Sequence, residues 1–526
     1  MGITTLVYLG FVVGVILVYY LLPRKIQWLW LLLASTAYYI QNGLKTAVWL
    51  YVTTAMVYIC GLVLSKIDDK GSAQIDALDK SDRAGKKAIK QKLTLRKRWC
   101  VVVVSIICIG IWVVFKFTDL FLMTLNRFFS TNFEPYYLVL PLGISFYTFQ
   151  AVSYIVDIYR GKIKVQKNPL KLALWLSFFP QMIQGPICRY GETAEQLYSG
   201  HRFDYRRVKF GIQLMIWGFF KKLVIADRVA IISNGVFADT GQKEGVLLFI
   251  GLIAYTIQLY TDFSGGIDII TGVAQCLGVD MPKNFMRPYF SRSVGEYWRR
   301  WHITLGAWFR DYVFYPLSIS KFASRIGKAS KKWFGPQLGK MMPTYIALLI
   351  VWTLNGIWHG TGKQFVAYGL YQGTLIIIGM QFAPLCAKLL EKLNVNTDCF
   401  SWRLWQMTRT TLLMVFGRLL YKASSLREAW RVFVNILTVH NYWVLTDGSL
   451  FRMGLNAHQM LILFVAMIVL LTVSILQEKG IRLRETIERQ NLVFRWMLYI
   501  VAIFTIILLG VYGEGYDASA FIYAGF

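Results

Sequence analysis

The sequence predicts an all-α, polytopic helical membrane protein. Of its 526 residues, 56% are hydrophobic and only 16% charged, a balance too apolar for an ordinary soluble enzyme. Apolar segments recur at lengths able to cross a hydrocarbon layer of roughly 30 Å, which takes about 20 helical residues. The basic residues gather between those segments, and Lys plus Arg outnumber Asp plus Glu by 57 to 28, for a net charge of +29.

Helices are expected, in chain order, at 3–22, 28–40, 44–64, 100–117, 136–159, 210–232, 246–259, 342–358, 365–382, 405–420, 459–476 and 494–511. The first lacks a basic leader and a small-residue cleavage site and is followed by Pro23-Arg24-Lys25, so it reads as a retained membrane helix. The shorter ones suit re-entrant elements whose ends are covered by protein or water. The whole chain, 1–526, reads as one integral membrane domain with no internal repeat.

Charge sets the orientation. Residues 66–98 hold eleven basic and five acidic residues, and 321–340 hold six basic and no acidic ones. Both read as basic loops facing the cytoplasm, near 66–99 and 320–340, with 161–167 on the same side and the amino terminus outside. The positive charge then reports topology and an affinity for anionic lipid or an acidic cytosolic partner, with no nucleic acid implied. Seven cysteines without C-x-x-C spacing indicate neither a disulfide framework nor a zinc site.

Gln181 to Tyr190 interrupts an apolar run with Gly185-Pro186, which cannot continue a regular helix. A broken element carrying Gln184 and Arg189 belongs beside a cavity; an ordinary loop at the membrane edge is the alternative.

Ser293 to Tyr312 is helical in pattern but too polar to span. Trp298, His302, Leu305 and Phe309 fall at i, i+4, i+7 and i+11, predicting one face of a single interfacial or re-entrant helix. Trp301 flanks the histidine, and Arg310 and Asp311 supply an ion pair. Two readings of His302 stand side by side: a histidine bonded to backbone in an anchor helix, and a functional group.

The expected helix 342–358 runs directly into His359, with Asn355 one turn earlier on the same face and Trp358 adjacent. Gly356 and Gly360 leave room for a ligand or another backbone. An ionisable group in lipid is costly unless it is buried in protein or lines a wet cavity, which makes it a functional candidate, although a structural histidine remains the other reading. Neutral imidazole suits one chemistry in particular: it takes the proton of a hydroxyl while that oxygen attacks an activated acyl carbon. His302 or Asn355 then orients the base or stabilises the oxyanion.

Competing motifs fall short. Gly360 to Gln364 lacks the leading glycine and trailing hydroxyl of a phosphate loop, and Gly143 to Tyr147 lacks the second glycine of a nucleophile elbow. Five histidines without H-E-x-x-H or clustered carboxylates argue against a catalytic metal.

The ordered set P-L-G-I-S-F-Y-T-F-Q (Pro141 to Gln150), F-F-P-Q-M-I-Q-G-P-I (Phe178 to Ile187), Y-T-I-Q-L-Y-T-D-F-S-G (Tyr255 to Gly265), N-F-M-R-P-Y-F (Asn284 to Phe290), W-R-R-W-H and N-G-I-W-H-G resembles the membrane-bound O-acyltransferase superfamily. More narrowly, it is similar to the bacterial branch of alginate O-acetylation and teichoic-acid D-alanyl transfer. The motifs concentrate in 136–382. The resemblance implies about eleven transmembrane helices, with re-entrant or interfacial helices, around a tunnel. It maps the family's catalytic histidine onto His359 and its upstream histidine onto His302, and both are expected to be catalytic; Asn355, Trp358, Trp298, Trp301, Gln150, Gln184, Arg189 and Asp311 are read as substrate-binding or tunnel-lining residues.

It further implies a multi-pass protein of the bacterial cytoplasmic membrane with no permanently bound cofactor. The acyl donor is then acetyl-CoA or the phosphopantetheine thioester of an acyl carrier protein, and an extracytoplasmic acyltransferase- or esterase-like partner serves an envelope polysaccharide. Where an alginate-type protein often reads P-L-G-G, this chain has Pro316-Leu317-Ser318-Ile319, and residues 421–458 carry no assignable motif, so alginate itself is not implied. O-acetyl transfer leads, D-alanyl transfer to teichoic acid is the second enzymatic reading, and a proton-coupled transporter built on broken helices is the non-enzymatic one.

Overall fold

All twelve apolar segments contain helix, but the one expected at 136–159 begins only at Ile144, because 136–143, with Pro141 and Gly143, is irregular; several others, such as Leu44–Asp76 and Arg83–Phe129, run well beyond the apolar stretches that announce them. The computed structural model describes residues 2–512 except Asn42, Lys80 and Ile183. It is 79% helical, and among the described residues extended pairing is confined to an isolated bridge between Phe285 and Trp301. Among the described residues, seven helices are long and apolar enough to cross a membrane, from Leu44–Asp76 to Leu492–Leu509, while Leu6–Leu21 is apolar but shorter. The chain divides into two compact units, 1–212 with 270–282, and 213–269 with 283–526.

In the first unit, Leu6–Leu21 and Arg24–Gln41 form a hairpin around Pro23. Trp30 Nε1 donates to Val15 O at 3.0 Å. Buried Gln27 ties this hairpin to a later loop, donating to His201 O at 3.1 Å and accepting from His201 N at 2.7 Å. Leu44–Asp76 packs against Arg83–Phe129 and Ile144–Tyr159.

The expected basic loop at 66–98 is therefore a correction: all but a short turn of it is helix, in the ends of Leu44–Asp76 and Arg83–Phe129. Lys and Arg are good helix formers, and the charged flank stays solvated without unwinding. Residues 321–340 are likewise helical within Lys321–His359, which is two helices joined at Gly335 (φ 82°), just before Pro336.

The predicted interruption near Gly185 is present. A short 3-10 turn, Phe179–Gln181, leads into irregular chain that ends at Tyr190–Ser199. Gln181 Nε2 donates to Trp175 O at 2.6 Å, and Phe179 N donates to Ser35 Oγ at 3.1 Å, so the break is stitched by side chains. A Cβ on Gly185 would stand 2.3 Å from Gln181 Cα, which leaves glycine as the residue that fits.

In the second unit a π-helical stretch, Phe220–Ala226, widens the helix that carries Lys221 and Lys222. Lys222 Nζ pairs with Asp262 at 2.6 Å and Asp227 at 2.8 Å, and Lys221 Nζ with Asp268 at 2.7 Å. These cations are buried, and buried charge is tolerated where it is paired and hydrogen-bonded. Val224, Leu252, Val415, Leu419, Val432 and Leu470 belong to the apolar core beside them.

Lys321–His359 and Lys363–Lys392 approach through glycines, as small residues permit in membrane helix pairs. A Cβ on Gly369 would lie 2.1 Å from Trp352 O, and one on Gly356 2.2 Å from Phe365 O. The space that Gly356 leaves is thus taken by another backbone.

Candidate active site

Two of the sequence's candidate residues, His302 and His359, lie in the second unit, both buried, at 3% and 5% exposure. His302 departs from the expected single helix. Val294–Arg300 ends at Trp301, which is extended, and Ile303–Phe309 begins after His302, whose backbone is left-handed (φ 45°, ψ 52°). That conformation is uncommon for residues other than glycine, although asparagine, aspartate and histidine adopt it more readily than most, and it is held here by the surrounding chain.

The constraint is visible. The bridge from Phe285 to Trp301 is flanked by Met286 N to Arg300 O at 2.9 Å and Ile303 N to Asn284 O at 3.0 Å. The shared helical face of Trp298, His302, Leu305 and Phe309 therefore does not form, because backbone pairing with 284–286 replaces the helical turn at the histidine.

Asn284 defines the chemistry of His302. Its Oδ1 lies 3.2 Å from His302 Nδ1, 3.2 Å from Thr304 N and 2.9 Å from Thr304 Oγ1. Because the Thr304 backbone N–H is obligatorily a donor, the atom facing it is the carboxamide oxygen, and Nδ1 of His302 must carry the proton. Burial pushes the imidazole down to about 3, so the ring is neutral.

His359 ends the Lys321–His359 helix. Its Nδ1 lies 3.3 Å from Tyr421 Oη. Trp358 packs on both imidazoles, with its ring centroid 4.6 Å from that of His359 and 6.1 Å from that of His302. Phe263 also packs edge-on against His302, with ring centroids 4.8 Å apart. Asn355 is buried, and its Oδ1 has no hydrogen-bond partner among the described residues.

Of the other candidates, Trp298 donates to Gln372 Oε1 at 3.1 Å and packs on Trp352. Trp301 stacks on Tyr297 at 5.6 Å. Asp311 pairs with Arg310 at 2.9 Å in a π-helical stretch, Arg310–Phe314. In the first unit, Gln150 Nε2 reaches Cys188 O at 3.4 Å. Gln184 is fully buried with no hydrogen-bond partner for either polar side-chain atom among the described residues. Arg189 begins Tyr190–Ser199 and donates its N–H to Glu192 Oε2 at 3.0 Å.

Two site residues escaped sequence reasoning. Tyr421 lies at the edge of the stretch without motifs and gave no signal. Arg418 did give one, being a charge inside an apolar helix. It is 2% exposed and donates to Tyr368 Oη at 2.8 Å and Tyr297 Oη at 2.9 Å.

A family model described as MBOAT, membrane-bound O-acyltransferase family, matches residues 163–330, a window that includes His302 and ends before His359. A protein of Azotobacter vinelandii named "Probable alginate O-acetylase" is 31% identical over 388 residues, 72% of this chain and 70% of that protein. This chain belongs to the membrane-bound O-acyltransferase family.

Within the family its relatives match the branch that the motifs resemble. The peptidoglycan O-acetyltransferase of Helicobacter pylori is 30% identical over 300 residues, 52% of this chain and 54% of that protein. The teichoic acid D-alanyltransferase of Bacillus subtilis is 30% identical over 285 residues, 53% of this chain and 66% of that protein. The chain spans about two thirds of the length of the alginate-type relatives. These matches are to transferases of acyl groups and give no support to the transporter alternative.

Proposed function

We propose that this protein is a membrane-bound O-acyltransferase that takes an acyl group, acetyl in the leading reading, from a cytoplasmic thioester and passes it across the membrane for O-acylation of an envelope polysaccharide. The donor is acetyl-CoA or a carrier-protein phosphopantetheine thioester. A partner on the extracytoplasmic side completes delivery, and the protein resides in the bacterial cytoplasmic membrane. The observation that carries this reading is the buried His359, held by Tyr421 through one ring nitrogen and sharing Trp358 with His302.

In this mechanism Nε2 of neutral His359 takes the proton of an acceptor hydroxyl as its oxygen attacks the thioester carbonyl. The tetrahedral intermediate collapses with cleavage of the C–S bond, and the thiolate recovers the proton from His359. Thioester and alcohol become ester and thiol, with no net proton change. Asn355, one turn before the base, is the candidate group for orienting the acceptor or stabilising the oxyanion. Gln150, Gln184, Arg189, Trp298, Trp301 and Asp311 are proposed as substrate-path residues.

D-alanyl transfer to teichoic acid is the second reading, favoured by similarity to a D-alanyltransferase. Mass analysis of acyl groups released by mild base from the envelope polymers of cells with and without the gene decides between them. Gene-dependent acetate is expected, D-alanine would select the second reading, and an unchanged ester profile would reject both.

A further inference from the structure

We propose that Tyr421 is a positioning residue that fixes which nitrogen of His359 carries the proton, an inference that rests on the reading of His359 as general base. A phenolic hydroxyl both donates and accepts, so its 3.3 Å contact with Nδ1 admits two states. If Tyr421 donates to Nδ1, the proton of His359 sits on Nε2, and that nitrogen cannot remove a proton from an alcohol. If Nδ1–H donates to Tyr421 Oη, the lone pair stays on Nε2, where the chemistry needs it. Tyr421 acts in the second state, as acceptor.

The packing suits a residue whose task is orientation. Tyr421 is buried, and its ring is held edge-on by Tyr368 at 5.6 Å and Phe365 at 5.3 Å, with Tyr255 at 6.5 Å. One turn earlier on the same helix, Phe400–Lys422, Arg418 is anchored by Tyr368 and Tyr297 and lies over the Trp301 ring at 4.6 Å. Trp301 directly precedes His302. One helix end thus touches both histidine segments: Tyr421 reaches His359 directly, and Arg418 packs on the side chain of Trp301, the residue before His302. The two sites then share a design, a neutral oxygen acceptor on Nδ1, from Asn284 for His302 and from Tyr421 for His359.

Nitrogen NMR of the full-length protein labelled with [15N]histidine in lipid tests this directly. The chain has five histidines, and His359 is assigned as the resonance pair missing from His359→Gln. The wild type should show His359 protonated on Nδ1 at neutral pH. Tyr421→Phe, which keeps the packed ring, should shift the proton towards Nε2. It should also slow the appearance of base-labile ester on envelope polymer by roughly 10-fold or more, by analogy with the 10- to 100-fold losses that follow removal of the groups orienting metal-bound histidines.

A wild-type spectrum with the proton on Nε2 would overturn the proposal whether or not any variant folds, as would unchanged tautomer and ester formation in Tyr421→Phe. If His359→Gln still formed ester, the general-base reading itself would fail. If His359→Gln were inactive while Tyr421→Phe behaved as wild type, only the role of Tyr421 would.

Discussion

His302 and Trp358 meet with ring centroids 6.1 Å apart, and through that contact the left-handed histidine of one segment rests against the residue that precedes His359 on another. Two histidines separated by more than fifty residues in sequence are thereby joined by a single indole. A substitution at either one is expected to disturb the other through this ring.

The first prediction concerns pH. Burial holds His302 down to about 3, against its ordinary value of 6.5. The folded protein therefore binds fewer protons at this site than the unfolded chain between those values. The associated stability is fully present above about 6.5 and is lost as pH falls towards about 3. His302→Asn, a residue that tolerates the left-handed backbone, should flatten this dependence. Thermal midpoints of detergent-solubilised protein between pH 7 and 4 provide the check, and parallel slopes for the two proteins would refute it.

Asn284 should matter for stability as much as for His302. Its Oδ1 serves three donors in a site that is 2% exposed. Asn284→Ala leaves those donors unsatisfied and should destabilise by about 1–3 kcal/mol. The loss is read as a lowered thermal midpoint, and ester formation should fall with it because His302 is no longer held.

Gly369 should refuse a side chain. The methyl of Gly369→Ala would press on Trp352 O, at 2.1 Å, and force the Lys321–His359 and Lys363–Lys392 helices apart. Overpacking of this kind costs about 1–3 kcal/mol, and displacement of the helix that carries His359 should lower activity beyond the loss of folded protein. Normal activity per folded molecule in Gly369→Ala would contradict this.

Lys222 is the keystone of a buried charge cluster. Lys222→Met strands Asp262 and Asp227 without their shared cation and should destabilise by about 3–5 kcal/mol. Adding Asp262→Leu to that variant should recover part of the loss. A double variant no better than the single would show that the pair is not what is being measured.

The sequence made the membrane-length helices legible because each carries a long apolar stretch, whereas shorter ones such as Pro169–Ser177, Tyr190–Ser199 and Leu426–Thr438 carry none and went unannounced; the break at Gly185-Pro186 was legible because those two residues cannot continue a helix. What periodicity missed was the interruption at His302: nothing local announces that residues 284–286 will pair with 300–303 and pull the histidine out of a helical turn. Basic flanks were read as loops because charge marks the membrane boundary, whereas lysine-rich chain readily stays helical outside it. His359 and Asn355 were visible as polar groups in an apolar run, and Arg418 carried the same signal. Tyr421 carried none, since an interfacial tyrosine is ordinary until tertiary packing brings it to Nδ1 of His359.

The central claim is that His359 removes the proton from the acceptor alcohol. Its most direct test is the amount of base-labile acyl ester on envelope polymer from cells producing either the wild type or His359→Gln at equal membrane levels. The account predicts that the variant falls to the level of cells lacking the gene, whereas ester equal to wild type would contradict it.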